Sequence, residues 1–207
     1  MLFRSFDAWV GTVRKDCEPH AIERMRYLGS RTYTVRANWK LYVENYLEGY
    51  HIPIVHPGLA RELDFPAYET HVEGNAVWQA APLRAGESSR IYDPTSGFPD
   101  ARYYWLHPNL MLNLYQGLLQ TNVVEPVDTH TTVVHFDWFV PLPQVSSGDA
   151  SFQEMMRFSD EVQAEDCSIV ERVHANVASS SYRPGPYSSR FEQGVAHFHT
   201  LMRAALA

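Results

Sequence analysis

Two histidines and a carboxylate lie within nine residues of one another in the stretch NWKLYVENYLEGYHIPIVHPG, residues 38–58. Their spacing is E-x-x-H-x4-H, and Glu48, His51 and His56 are its members. Neutral imidazole nitrogens and a carboxylate oxygen are donors that divalent iron or zinc takes in proteins. The residue types and their spacing therefore indicate a candidate mononuclear metal site.

The same spacing is also compatible with a purely structural role. A single histidine on a helix more often belongs to the core or the surface than to a metal site. Short motifs match by chance, and E-x-x-H-x4-H is not the H-E-x-x-H pattern of zinc proteases. On spacing alone, metal binding and ordinary packing stay open in equal measure.

The element that positions these side chains begins as a helix. Apolar residues recur at three- and four-residue steps over residues 39–47, which is the spacing of one helical face. If the helix continues, Glu48 and His51 project from the same face. Pro53 then ends the helix because it lacks an N–H. The turn that follows brings His56 back towards His51.

This run closely resembles the segment that opens the catalytic domain of Rieske-type non-haem iron oxygenases, the large subunits of ring-hydroxylating oxygenases. In that family the helix after N-W-K carries an acid, two residues, a histidine, four residues and a second histidine. The resemblance implies that His51 and His56 are iron ligands. It implies that Glu48 hydrogen-bonds a ligand histidine and links it to an electron-donating cluster. Glutamate rather than aspartate at this position resembles the branch that oxidises quaternary ammonium compounds.

Length and composition exclude several classes of protein. The chain has 207 residues, of which 45% are apolar and 20% charged, as in a folded globular domain. Its net charge of −7, without a run of Lys or Arg, argues against nucleic acid and anionic membranes as partners. No apolar run approaches the ~20 residues of a membrane span. Two distant cysteines give no disulfide framework, so we expect a cytoplasmic protein.

The cysteines also bear on the electron donor, because a Rieske cluster needs a C-x-H and a C-x-x-H motif. Cys17 and His20 have the second spacing, but no C-x-H accompanies them, and we interpret them as part of a turn before a helix over residues 21–28. Residues 1–37 are predicted to be a linker and first strand that follow a missing Rieske domain. Residues 38–207 are predicted to be the mononuclear iron domain. The [2Fe-2S] cluster is expected on the missing domain or on a partner.

Period-two alternation predicts a sheet. Residues 31–35 and 71–81 alternate between apolar and polar side chains. Four further runs, each bounded by turn residues, predict an antiparallel meander. These runs cover residues 101–105, 110–116, 118–125 and 131–140. The Gly-, Ser- and Pro-rich residues 84–99 predict a loop that acts as a lid over a site.

A long helix is predicted over residues 152–178, which contain no Pro or Gly. Asp166 falls on its apolar stripe, and a buried carboxylate needs a partner. Two partners stay open: an arginine such as Arg172 or Arg190, or a metal. Glu165 is expected to point to solvent. The family resemblance implies that Asp166 is the third iron ligand.

These elements predict an α+β fold, with an antiparallel sheet and long C-terminal helices packed across it. This resembles the helix-grip architecture of the oxygenase catalytic domains. The resemblance implies O2-dependent mono- or dioxygenation, or oxidative demethylation, of an aromatic or small organic substrate at Fe(II). It also implies a Rieske domain or ferredoxin, a reductase and a ring of like subunits such as a trimer. Candidate walls for the substrate are Tyr103, Trp105, Leu112, Leu114, Tyr115 and Trp138.

Two other functions stay open. Helix-grip domains also carry ligands without a metal, so the chain could be a non-catalytic ligand-binding module derived from such an oxygenase. A hydrolase with zinc at the same triad is the third option. The presence of His51, His56, Asp166 and Glu48 favours the oxygenase, because a carrier has no need of them.

Overall fold

A computed structural model describes residues 5–82, 84, 100–115, 117–141 and 150–207 of the chain. Its central element is a seven-stranded antiparallel sheet with strand order β1-β7-β6-β5-β4-β3-β2. The strands are β1 (Met25–Val35), β2 (Glu69–Glu73), β3 (Ala76–Pro82), β4 (Asp100–Leu106), β5 (Leu110–Tyr115), β6 (Leu118–Pro126) and β7 (Thr132–Pro141). The predicted meander is confirmed in β4 to β7, where each strand pairs with the next.

The described residues form seven α-helices around this sheet. They are α1 (Phe6–Val10), α2 (Val13–Cys17), α3 (Trp39–Leu47), α4 (Ile52–Val55), α5 (Pro57–Glu62), α6 (Ala150–Val177) and α7 (Gln193–Leu206). The predicted α+β class, an antiparallel sheet with long C-terminal helices, is confirmed. Nowhere in these residues is a helix both long and apolar enough to cross a membrane.

The inner face of the sheet packs against α3, α6 and α7 and holds the larger core. The side chain of Asn38 caps α3 by accepting a hydrogen bond from the Lys40 N–H, which satisfies a donor that the first turn leaves open. Helix α7 crosses α3 at Gly194, where an added Cβ would lie 2.9 Å from the Leu47 carbonyl oxygen. Glycine therefore permits the close contact between these two helices.

The outer face of the sheet packs against the N-terminal helices. Val13 and Cys17 of α2 are buried against a second core cluster that contains Tyr104 and Leu114. The Trp9 indole N–H donates to the His107 carbonyl oxygen over 2.7 Å. The N-terminal segment therefore packs on the sheet, and the prediction that it follows a Rieske domain stays a prediction.

Two local predictions of secondary structure are wrong. The helix predicted over residues 21–28 is a short 3-10 turn (Ile22–Arg24) followed by β1, because residues from Met25 onward pair with β7. The single strand predicted over residues 71–81 is the hairpin of β2 and β3, which turns at Gly74 with a φ of 56°. The predicted loop over residues 84–99 lies, apart from Arg84, outside the described residues.

Candidate metal centre

The segment that leads from α3 to His51 is not the continuous helix that was predicted. Helix α3 ends at Leu47, and Glu48 has extended backbone angles (φ −119°, ψ 147°), so the prediction that Glu48 and His51 share a helical face is wrong. A Cβ at Gly49 would lie 2.6 Å from a ring carbon of Tyr68, which fixes the path of the chain after the helix. Pro53 does not end a helix; it lies in the first turn of α4, where its missing N–H costs nothing.

The three predicted metal ligands converge around helix α4. His51 precedes this helix and His56 follows it, and their Nε2 atoms are 3.1 Å apart. Asp166 Oδ1 lies 3.0 Å from His56 Nε2 and 3.6 Å from His51 Nε2. Donor atoms ~2.1 Å from one metal and at right angles to one another are ~3.0 Å apart. The two imidazoles and the carboxylate therefore fit a single divalent metal ion.

Each imidazole has its own carboxylate partner on the other ring nitrogen. Glu48 Oε1 lies 2.5 Å from His51 Nδ1, and Glu165 Oε2 lies 2.7 Å from His56 Nδ1. Such partners hold the proton at Nδ1 and leave the Nε2 lone pair for a metal. The prediction that Glu165 points to solvent is wrong, because His56 approaches α6 from the side on which Glu165 projects.

Asp166 is held by residues that differ from the arginines considered as partners. The Asn45 side-chain amide donates to Asp166 Oδ1 over 2.7 Å. Arg190 instead donates to the Pro66 carbonyl oxygen, and Arg172 is exposed, so the arginine alternative is wrong. Asn45 is a functional residue that the sequence motifs do not identify; the available signal was a polar side chain close after Tyr42 and Val43 on α3.

The charges of the centre are strongly coupled. Burial raises the pKa of Asp166, but hydrogen bonds from His51 and His56 outweigh burial and lower this pKa to about 2. Burial lowers the pKa of His51, but Asp166 and Glu48 raise it by a larger amount, so that the net pKa is about 9. Burial also lowers the pKa of His56, and Asp166 and Glu165 outweigh this effect, so the pKa of His56 is raised overall. The carboxylates thus give the centre the negative charge that a cation needs, and a metal that binds there takes the place of any proton on the two Nε2 atoms.

A pocket opens beside the three predicted ligands, which belong to its lining. Tyr103 and Tyr115 line it, as predicted for substrate walls. Leu112 and Leu114 instead belong to the outer core cluster, because side chains alternate between the two faces of a strand. Trp105 and Trp138 are completely buried in the inner core and do not line the pocket.

A sheet covered by long helices, with two histidines and a carboxylate converging beside a pocket, defines a candidate mononuclear metal enzyme. The family described as ring hydroxylating alpha subunit (catalytic domain) matches residues 22–207. The chain belongs to this family, which confirms the resemblance seen in the sequence.

Curated relatives name related activities. The chain is 32% identical over 200 residues to the chloroplastic choline monooxygenase of Arabidopsis thaliana, covering 94% of this chain and 46% of the relative. It is 31% identical over 177 residues to the carnitine monooxygenase oxygenase subunit of Escherichia coli K12, covering 80% of this chain and 46% of the relative. The chain therefore spans about half the length of these relatives.

Solved structures share the fold. The quaternary ammonium Rieske monooxygenase CntA superposes with a TM-score of 0.81 at 23% identity, covering 98% of this chain and 56% of that one. Dicamba monooxygenase superposes with a TM-score of 0.63 at 19% identity, covering 91% of this chain and 60% of that one. Both are therefore similar in fold to this chain.

Proposed function

We propose that this chain is the iron-bearing catalytic portion of a Rieske-type monooxygenase, with His51, His56 and Asp166 as the ligands of Fe(II). The observation that carries the proposal is the convergence of His51 Nε2, His56 Nε2 and Asp166 Oδ1, with separations of 3.0 to 3.6 Å. Fe(II) held there by two imidazoles and one carboxylate would supply O2 activation for attack on a C–H bond.

The surrounding side chains hold the ligands in place for this role. Glu48 and Glu165 each accept a hydrogen bond from an imidazole Nδ1–H, which orients the ring. Asn45 orients Asp166. Glu48 is only 7% exposed and contacts His51 on the side away from the other ligands, so it is proposed as the acid between the iron site and the electron-donating cluster.

The substrate is proposed to be a small quaternary ammonium compound, which narrows the aromatic or small organic range considered from the sequence. The names of the relatives, choline and carnitine monooxygenase, support this class. Rings of Tyr46, Tyr103 and Tyr115 line the pocket, and aromatic faces attract organic cations.

The electrons are proposed to come from a Rieske [2Fe-2S] centre outside these 207 residues, supplied by a reductase. These residues contain two cysteines and no C-x-H motif, so they lack the ligands of such a cluster. A ring of like subunits, such as a trimer, is proposed as the assembly; one fold relative is a quaternary ammonium monooxygenase described as showing inter-subunit electron transfer. The cytoplasmic location stays a prediction.

Iron analysis tests the proposal. We expect the chain, reconstituted with Fe(II) without oxygen, to bind about one iron per chain, and the His51→Ala/His56→Ala variant to bind none. The matched control is His130→Ala/His174→Ala, which removes another pair of neighbouring imidazoles, 2.9 Å apart, and should keep its iron. Undiminished iron in the first variant would contradict the proposal, whereas an unmodified chain that binds no iron would favour the metal-free ligand-binding module.

A further inference from the structure

A row of polar side chains crosses the inner face of the sheet. Its members are neighbours on successive paired strands: Gln79 with Tyr103, Tyr103 with Asn113, and Asn113 with Gln120. Asn122 lies two residues beyond Gln120 on β6 and therefore faces the same side. All five side chains line the pocket that contains the candidate metal ligands.

Three amides of this row have unused hydrogen-bonding groups. The Tyr46 hydroxyl donates to Asn113 Oδ1 over 2.7 Å, and Gln120 Nε2 donates to Asn122 Oδ1 over 2.8 Å. Within the described part of the chain, these bonds leave the Nδ2 groups of Asn113 and Asn122 and the Oε1 of Gln120 without a partner. Asn113, Gln120 and Asn122 are nevertheless only 8%, 5% and 2% exposed. Because these three residues line the pocket, their unused groups open onto it, where a ligand group can pair with them.

The available groups comprise amide donors and one acceptor, and they carry no charge. A hydroxyl suits this set, because it donates to Gln120 Oε1 and accepts from an asparagine Nδ2. A carboxylate only accepts, so it would leave Gln120 Oε1 unpaired and opposite a negative oxygen. Among the described residues that line the pocket, there is also no lysine or arginine to neutralise a carboxylate, and an unneutralised buried anion is unfavourable.

We propose that Asn113, Gln120 and Asn122 form a specificity site that binds a neutral hydroxyl group of a small organic cation and selects against a carboxylate. This inference rests on the proposed function and refines its substrate class. The two activities named among the relatives differ in this respect: choline carries a hydroxyl and no carboxylate, whereas carnitine carries both. These three amide side chains, called the amide row below, favour binding of the compound that resembles choline.

Calorimetry on the Fe(II)-loaded chain without oxygen tests the proposal with three probes: choline, L-carnitine and ethyltrimethylammonium, which is choline without its hydroxyl. We expect choline to bind roughly tenfold or more tightly than L-carnitine, because the carboxylate finds no cation. We expect choline to bind about three- to tenfold more tightly than ethyltrimethylammonium, which is the effect of one or two hydrogen bonds.

The variant Gln120→Met removes the acceptor at similar volume. It should erase the advantage of choline over ethyltrimethylammonium. The matched control is Gln163→Met, which replaces an equally buried amide of the same pocket. Both groups of Gln163 are already used, by Tyr42 and Cys167, so the advantage of choline should remain. If Gln120→Met fails to fold, as judged by circular dichroism, the three probes on the unmodified chain decide the question.

Several results would overturn the inference: L-carnitine binding as tightly as choline, ethyltrimethylammonium binding as tightly as choline, or no binding of any probe. Turnover of L-carnitine in preference to choline with a Rieske donor would overturn it and leave the oxygenase proposal intact. A chain that fails to bind iron but still prefers choline would contradict the proposed function and keep the role of the amide row.

Discussion

Glu165 and Asp166 are adjacent on α6 and contact opposite sides of the His56 ring: Glu165 Oε2 lies 2.7 Å from His56 Nδ1, and Asp166 Oδ1 lies 3.0 Å from His56 Nε2. Adjacent residues on a helix point ~100° apart, so one turn of α6 contacts both nitrogens of a single ring. His56 is 1% exposed, and its ring is fixed from two sides. Glu48 fixes His51 in the same manner from the opposite end of α4.

This contact predicts that Glu165→Gln weakens iron binding without abolishing it. Loss of a carboxylate behind a ligand histidine typically costs ~10–100-fold in metal affinity or activity. Competition against a chelator of known Fe(II) affinity measures the change. Glu161→Gln, an exposed position one turn earlier on α6, should bind iron like the unmodified chain. Equal affinity in both variants would show that Glu165 has no part in the centre.

Glu48→Gln should still bind iron when Fe(II) is supplied in excess, but it should lose activity driven by a Rieske donor by ~10–100-fold. The reason is that Glu48 contacts His51 and is proposed to connect it to the donor. Oxygen uptake and iron content measured on the same sample separate the two effects. Glu44→Gln removes a carboxylate that binds His199 instead and serves as the control. Full donor-driven turnover by Glu48→Gln would rule out the connecting role.

The chain supplied with NADH and a reductase alone should give no product. Hydroxylation requires electrons beyond those of Fe(II), and two cysteines without a C-x-H motif cannot hold a Rieske cluster. Adding a separately expressed Rieske protein should start oxygen uptake. Hydrogen peroxide, which brings both oxygen and electrons, should give slow product without it. Repeated turnover without the Rieske protein would refute the requirement for a separate donor.

Gly49→Ala should destabilise the fold by ~1–3 kcal/mol, the usual cost of an added methylene in a packed site. The new methyl group would lie 2.6 Å from a ring carbon of Tyr68. Urea unfolding measures the change in the free energy of unfolding. Gly185→Ala, which meets no atom within 4 Å, is the control. Because Gly49 lies between Glu48 and His51, unchanged stability would mean that this path of the chain is not fixed by Tyr68.

Both cysteines should react slowly with thiol reagents at pH 8. Burial raises the pKa of Cys17 to about 11, and it raises the pKa of Cys167 to about 11 as well. Because the thiolate is the reactive form, its fraction stays small until the pH approaches that value and rises with pH. Absorbance with a disulfide reagent measures the rate, and the same chain in denaturant provides the fast reference. Rapid labelling of the folded chain at pH 8 would contradict the raised pKa values of the two thiols.

The sequence alone determined those features that depend on neighbouring residues. The E-x-x-H-x4-H run identified His51 and His56, the turn residues between alternating runs predicted β4 to β7, and the absence of Pro and Gly predicted α6. The helical period also placed Asp166 on the inner face of α6. Each of these signals lies within a short window of the chain, so local geometry was sufficient to interpret it.

Only the tertiary structure decided which side chains meet across the fold. The partners of Glu165 and Asn45 come from distant segments, His56 and Asp166 respectively, so no local pattern predicted them. Helix α3 ends before Glu48, and Gly49 then passes close to the Tyr68 ring, which belongs to a distant segment. The amide row likewise arises from cross-strand register. Alternation shows that Asn113 and Gln120 each face one side of a strand, and only strand pairing makes them neighbours.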